Sequence, residues 1–387
     1  MVKRLYVVLL LQVLSSHLFS EVALCEPARD SVDAFDSTSV QAFTKICGSP
    51  PTAKYMPPDV SIDGLSICGA ATANTLFLQS ICLRKKMVCS GIDPATIPSI
   101  LSFAAIGGEA LDAADENSPV ELKPNNPLYI DRAMDPYYIL KKAGRAKKVY
   151  AASCYAFDRF VARFDKGSPR EKAIASGATF IKLQTSYTKL REMESRGVCT
   201  ECLNAIVNEL KADFDIFDSI SDIQEALKKD ETFQQFLHRL LLGSCKTTIP
   251  FSPKIYVQWP ENKSATGAPS YDEAVEQIKK VLDTGTALGM NLCTDKIPQG
   301  NLSDCAGHAL VVSGFRKSCK TVAACTLSAD DPQLKELCRD MIQIHNPWGA
   351  DWQSMNNDGW VDARTLIQHA DIGRSTQLMY FKPPESN

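Results

Sequence analysis

The stretch from Ser66 to Gln79 constrains the fold more than any other: Cys68 and Gly69 lead directly into Ala70, Ala71, Ala73, Leu76 and Phe77, with Ile81 continuing the spacing just beyond. That small-then-apolar spacing predicts a tight glycine turn feeding a buried helix, one face in a core and the first turn left open. A helix N-terminus offers unpaired N–H groups and a partial positive charge, so a thiol placed there is readily held as a thiolate. At the position where such a thiol would stand, residue 71, the chain has alanine.

Far downstream, Gly307-His308-Ala309-Leu310-Val311-Val312-Ser313-Gly314-Phe315 reads as a strand with a histidine at its start. Met341 to Gly349 reads as a second strand ending in Asn346-Pro347-Trp348-Gly349, with Asp358-Gly359-Trp360-Val361 soon after. Taken with Cys68-Gly69-Ala70-Ala71-Thr72-Ala73, these segments resemble the papain-like cysteine peptidases. The resemblance implies an α+β fold of two halves, one helical and one β-barrel-like, with a cleft between them. It also implies a mechanism in which a histidine takes the thiol proton and later returns it to the leaving amine, while an amide orients the imidazole. On this chain it assigns the base to His308, the orienting amide to Asn346, the cover over their hydrogen bond to Trp348, and the nucleophile position to Ala71. The glutamine that the family places six residues before the nucleophile falls on Leu65, or on Asp63 in a shifted register. The backbone N–H of residue 71 is then the one oxyanion donor expected to survive. Cys68 matches a cysteine that is half of a disulfide in the family; as a free thiol it would stand three residues early, outside the helix turn.

Without a thiolate no acyl-enzyme forms, and loss of the nucleophile in a comparable triad costs on the order of a million-fold in kcat. Two readings of Ala71 stay open. In one the nucleophile is naturally lost, and the chain is an inactive homologue that binds peptide or protein in the cleft through backbone hydrogen bonds. In the other the chain is a working cysteine endopeptidase captured as its Cys-to-Ala form. The missing glutamine favours natural loss. A third class, a disulfide-braced structural protein with no working cleft, is separated from both by whether any peptide or partner binds.

Composition narrows the surroundings. The chain has 387 residues, 45% of them hydrophobic, enough to bury one large or two moderate cores. With a net charge of −3 and no long Lys/Arg block, nucleic acid is not an expected partner. Met1-Val2-Lys3-Arg4 followed by the apolar run Leu5 to Leu14 reads as a secretory signal within residues 1–25, cut after Ser20 or near Ala23. That run is short for a membrane span, so the protein is expected to be exported, periplasmic or extracellular, and free of the membrane once the signal is removed. Fourteen cysteines in such a compartment imply several disulfides. Cys199, Cys202, Cys319, Cys325 and Cys338 are candidates by position, and Cys68 by the resemblance; the connectivity is not readable. None of His17, His238, His308, His345 and His369 joins cysteines at zinc spacing, so no metal and no cofactor is expected. Nothing in the sequence sets an oligomeric state.

The chain divides into a signal peptide (1–25), an N-terminal segment and helical half with the central helix (26–154), a helical insertion (155–248) and a β-rich half carrying His308 and Asn346 (249–387). Within these, a short helix is expected over 95–107, a Pro/Asn loop over 117–136 and a capping box at Ser221 to Gln224. The last part should open with a strand over 254–259, a helix over 271–283 capped by Ser270 with Glu273 and stopped at Gly285, and a strand over 287–292.

Overall fold

A computed structural model describes residues 35, 37, 39–62, 65–108, 128–130, 135–154, 182–193, 204, 208, 232–243, 245–258, 270–293, 307–370 and 378–382. The signal at 1–25, Asp63, Cys199, Cys202 and the Ser221 to Gln224 capping box lie outside the described residues. The protein is a mixed α+β fold.

Helix α1 (Cys68–Lys85) is buried at every position from Cys68 to Ser80. Small residues at Gly69, Ala70, Ala71 and Ala73 allow neighbours on all sides, which is why the helix lies in the interior and not on a surface. The helix starts earlier than its sequence suggests. Cys68 and Gly69 are themselves helical, with Ile67 as N-cap, so the expected glycine turn is the first turn of α1. At the far end Lys86 adopts φ 53°, with Arg84 and Lys85 in the last turn, where cations suit the helix C-terminus.

Two further helices flank α1: α2 (Ile100–Gly108) and α3 (Pro136–Ala146). The helix expected from residue 95 begins only at Ile100, because the preceding backbone is paired elsewhere: Pro98 bridges Ala151, and Ser99 N–H donates to Tyr150 O at 2.9 Å. The loop expected to run through residue 136 ends on a helix cap. The Asp135 carboxylate accepts from Tyr137 N–H and Pro136 fills the first helical position, where its missing N–H is harmless.

The strands are β1 (Lys45–Cys47), β2 (Lys148–Tyr150), β3 (Thr248–Pro250), β4 (Ile255–Gln258), β5 (Leu288–Cys293), β6 (Gly307–Cys319), β7 (Cys338–His345), β8 (Trp360–Asp362) and β9 (Leu378–Phe381). The main sheet runs β4-β9-β5-β6-β7-β8, with β1 added to β6, while β2 and β3 pair separately. Every pairing is antiparallel. The half expected to be β-barrel-like shows no closure of this path into a barrel among the described residues. Helices cover it instead: α1 on β5, β6 and β9, α5 (Tyr271–Leu282) on β5 and β6, and α7 (Ala363–His369) on β5 and β7. A sheet buried in this way has no need to close on itself. Gly289 lets α1 and β9 approach β5, since a Cβ there would stand 2.9 Å from Leu76 Cδ1 and 2.7 Å from Met379 Cγ.

Helix α5 carries the capping box read from its sequence, with Ser270 and Glu273 exchanging hydrogen bonds and Gly285 at φ 79° beyond its end. Helix α4 (Phe233–Leu242) has a second such box, Thr232 with Gln235, which the sequence reading passes over. Phe233, Phe236, Leu237 and Leu241 of α4, with Leu183, Tyr187 and Leu190 of the helical residues 182–193, join one continuous core with Phe77, Phe103 and Phe381.

Disulfides join Cys47 to Cys325, Cys82 to Cys89, Cys154 to Cys245 and Cys319 to Cys338, and Cys68 is also disulfide-bonded. Cys319–Cys338 closes the long connection between β6 and β7, whereas Cys325 leaves that connection to reach β1. These bridges fit an oxidising, extracellular-type environment. No helix among the described residues is long and apolar enough to cross a membrane.

Candidate functional site

His308 is the second residue of β6 and Asn346 is the first residue after β7. The antiparallel register sets Val311 opposite His345, which brings the start of β6 beside the end of β7. There His308 Nε2 lies 3.0 Å from Asn346 Oδ1. The same Oδ1 accepts from Trp348 N–H at 3.3 Å, so it faces the imidazole as an acceptor and Nε2 carries the ring proton. His308 Nδ1 is then a bare lone pair, buried and without a partner among the described residues.

The turn that aims Asn346 is held from several directions. Asn346 N–H donates to Gln353 Oε1, and Gln353 Nε2 donates to Ile344 O at 2.7 Å, so a side chain on α6 (Ala350–Met355) pins the end of β7 where the turn begins. Ile62 N–H donates to Pro347 O at 2.9 Å, and Ser61 bridges Trp348. Gly349 closes the turn at φ 91°, where a Cβ would stand 2.8 Å from Ser61 Cβ. Only glycine meets both the positive φ and the close approach.

The Trp348 ring lies beside the imidazole, its centroid 4.8 Å from that of His308 and tilted by 32°. Phe35, from the N-terminal part of the chain, meets His308, Trp348 and Trp352 edge-on at 6.1, 5.6 and 5.2 Å. His308 is left 3% exposed. Burial pushes its pKa down from 6.5 to about 4, and the Asn346 hydrogen bond only partly opposes this. The ring is therefore neutral at neutral pH. Phe35, Trp352 and Gln353 were not singled out from the sequence; two tryptophans four residues apart were the one available signal.

Residue 71 is different in kind. Ala71 is 1% exposed, and its N–H donates to Ile67 O at 2.9 Å. The oxyanion donor expected to survive is thus consumed by the helix, which begins early enough to claim it. Leu65 is buried in the core, its N–H bonded to Ile62 O. Cys68 is 1% exposed and disulfide-bonded at the start of α1, so it offers no thiol and does not lie outside the helix.

Ala71 and Asn346 line one small cavity of about 10 Å³, together with Thr72, Thr75, Asp59 and His345. It has room for about one water. Thr72 Oγ1 and Asn346 Nδ2 are buried and without hydrogen-bond partners among the described residues. Beside them His345 Nδ1 pairs with Asp59 Oδ1 at 2.5 Å, both side chains partly exposed. The structure therefore brings Ala71 and Asn346 to one cavity and His308, Asn346 and Trp348 to one cluster. An oriented, neutral imidazole can accept a hydrogen bond at Nδ1, but none of these residues supplies a nucleophile. The chain matches no known family model and no curated protein.

Proposed function

We propose that this chain is a papain-like cysteine peptidase homologue without catalytic activity, which binds an extended peptide or protein segment where His308, Asn346 and Trp348 meet α1. The observation that carries this reading is the 3.0 Å contact between His308 Nε2 and Asn346 Oδ1 beneath Trp348, combined with a methyl group at residue 71. The first is the arrangement that holds a general base in position. The second removes the group that such a base would activate. Export by way of the signal at residues 1–25, and two halves meeting at the site, belong to the same proposal; the disulfides and the mixed α+β fold support them.

The alternative, a working endopeptidase captured as a Cys-to-Ala form, is disfavoured by two observations. Leu65 is a core residue, and the residue 71 N–H is already bonded. A ligand of the proposed class has to displace Phe35, which now occupies the aromatic face. A displayed library of extended peptides, panned on the wild type and on Phe35→Ala, tests the reading. Enrichment that strengthens in Phe35→Ala and disappears in Trp348→Ala is the expected result. A folded Phe35→Ala protein that enriches nothing would overturn it.

A further inference from the structure

Where β1 joins β6, two disulfides lie against each other. The register sets Lys45 opposite Cys319 and Cys47 opposite Lys317, so Cys47 and Cys319 are diagonal neighbours on adjacent strands. Cys319 also faces Cys338 directly across the β6–β7 pair, and the 3-10 turn Ala323–Thr326 brings Cys325 to the same corner. Cys47 Sγ and Cys319 Sγ, which belong to different bridges, are 3.3 Å apart. Both are disulfide sulfurs without a proton, so this is a contact between two bridges and not a hydrogen bond. The sulfurs of Cys47, Cys319 and Cys325 all lie within 4.8 Å of one another. Access is one-sided: Cys47 and Cys325 are partly exposed, while Cys319 and Cys338 are buried.

We propose that these four cysteines form a thiol–disulfide exchange site, at which a small thiol catalyses interconversion of the bridges Cys47–Cys325 and Cys319–Cys338 with Cys47–Cys319 and Cys325–Cys338. The thiolate of the small molecule attacks the accessible Cys325 Sγ, forming a mixed disulfide and releasing the Cys47 thiolate. That thiolate already touches Cys319 Sγ; its attack forms Cys47–Cys319 and expels the Cys338 thiolate. Cys338 then attacks Cys325 Sγ, forming Cys325–Cys338 and returning the small thiolate. No electrons are gained or lost overall, and the thiol is regenerated. The exchange moves the tether of β1 from the Ala323–Thr326 turn to β6, and ties that turn to β7.

The Cys325→Ser variant tests the central transfer without any added thiol. It leaves Cys47 free beside Cys319–Cys338. Alkylation of the folded variant under non-reducing conditions, followed by peptide mass spectrometry, should find the label divided between Cys47 and Cys338, with both Cys319–Cys338 and Cys47–Cys319 crosslinks recovered. Label on Cys47 alone in a folded protein would overturn the proposal. If the variant does not fold, the wild type incubated with glutathione and quenched in acid serves instead. Appearance of Cys47–Cys319 and Cys325–Cys338 crosslinks supports exchange, and an unchanged crosslink map contradicts it. A parallel Cys82→Ser variant, whose bridge stands apart from this corner, should keep its label on Cys89 alone.

Discussion

The sheet end that carries His308 and the first turn of α1 meet at one small cavity, yet they are built differently. Around His308 the polar atoms are matched in part: Nε2 and Trp348 N–H share Asn346 Oδ1 and Gln353 fastens the turn behind it, while His308 Nδ1 and Asn346 Nδ2 stand without partners among the described residues. Around residue 71 the backbone is consumed by the helix and the side chains of Ala71 and Leu65 are core. The contrast teaches which of these groups the fold itself holds in place. A buried imidazole and amide stabilise the protein only as a matched pair, and removing either orphans the other at a cost in stability. A nucleophilic sulfur at the start of a helix has no such hold. In the proposed reading, the His308–Asn346 pair is the part the fold itself uses, and a thiol at residue 71 is the part that catalysis alone would use.

The largest expected effect is on the helix both regions lean on. Phe77 is buried among Phe103, Phe251 and Phe381, and Phe77→Ala should cost about 3–5 kcal/mol by urea unfolding, disturbing both regions together. Next is acid sensitivity arising from His308. Its pKa is about 4 in the folded protein and 6.5 as an unperturbed group, so between these values the unfolded chain binds more protons. The stability from neutral burial is complete above the unfolded value and is lost, by roughly 3 kcal/mol, as pH falls through that window. Urea unfolding near neutral pH and again near the lower limit should show the drop, and His308→Gln should shrink it.

Smaller still is Asn346→Ala, which removes the acceptor that His308 Nε2 and Trp348 N–H share and should cost about 1–3 kcal/mol in the same assay. Smallest is Ala71→Cys: overpacking a core costs about 1–3 kcal/mol, and the cavity beside residue 71 takes up part of the sulfur, so the change is expected at the low end of that range. An Ala71→Cys penalty as large as that of Asn346→Ala would erase the contrast.

What was legible in the sequence was local. The buried α1, the His308 strand, the Asn346 turn and the Ser270 capping box each follow from spacing within a few residues. What was not legible depends on contacts between distant segments. Phe35 reaches Trp348, Asp59 pairs with His345 across 286 residues, and Cys47 meets Cys325 across 278. Which helices cover the sheet is likewise set by contacts that no strand pattern encodes. The helix start at Cys68 escaped for a subtler reason: Cys-Gly suggests a turn locally, but Ile67 O is free to accept the Ala71 N–H, so the ladder extends through it.

The most direct measurement is the reactivity of the thiol introduced by Ala71→Cys, followed as alkylation rate against pH alongside hydrolysis of a broad peptide library. With His308 buried and neutral and the residue 71 N–H committed to Ile67, the account predicts alkylation that rises only in the ordinary thiol range, with no peptide cleaved. An alkylation profile shifted to acid pH, accompanied by thiol-dependent cleavage, would contradict it.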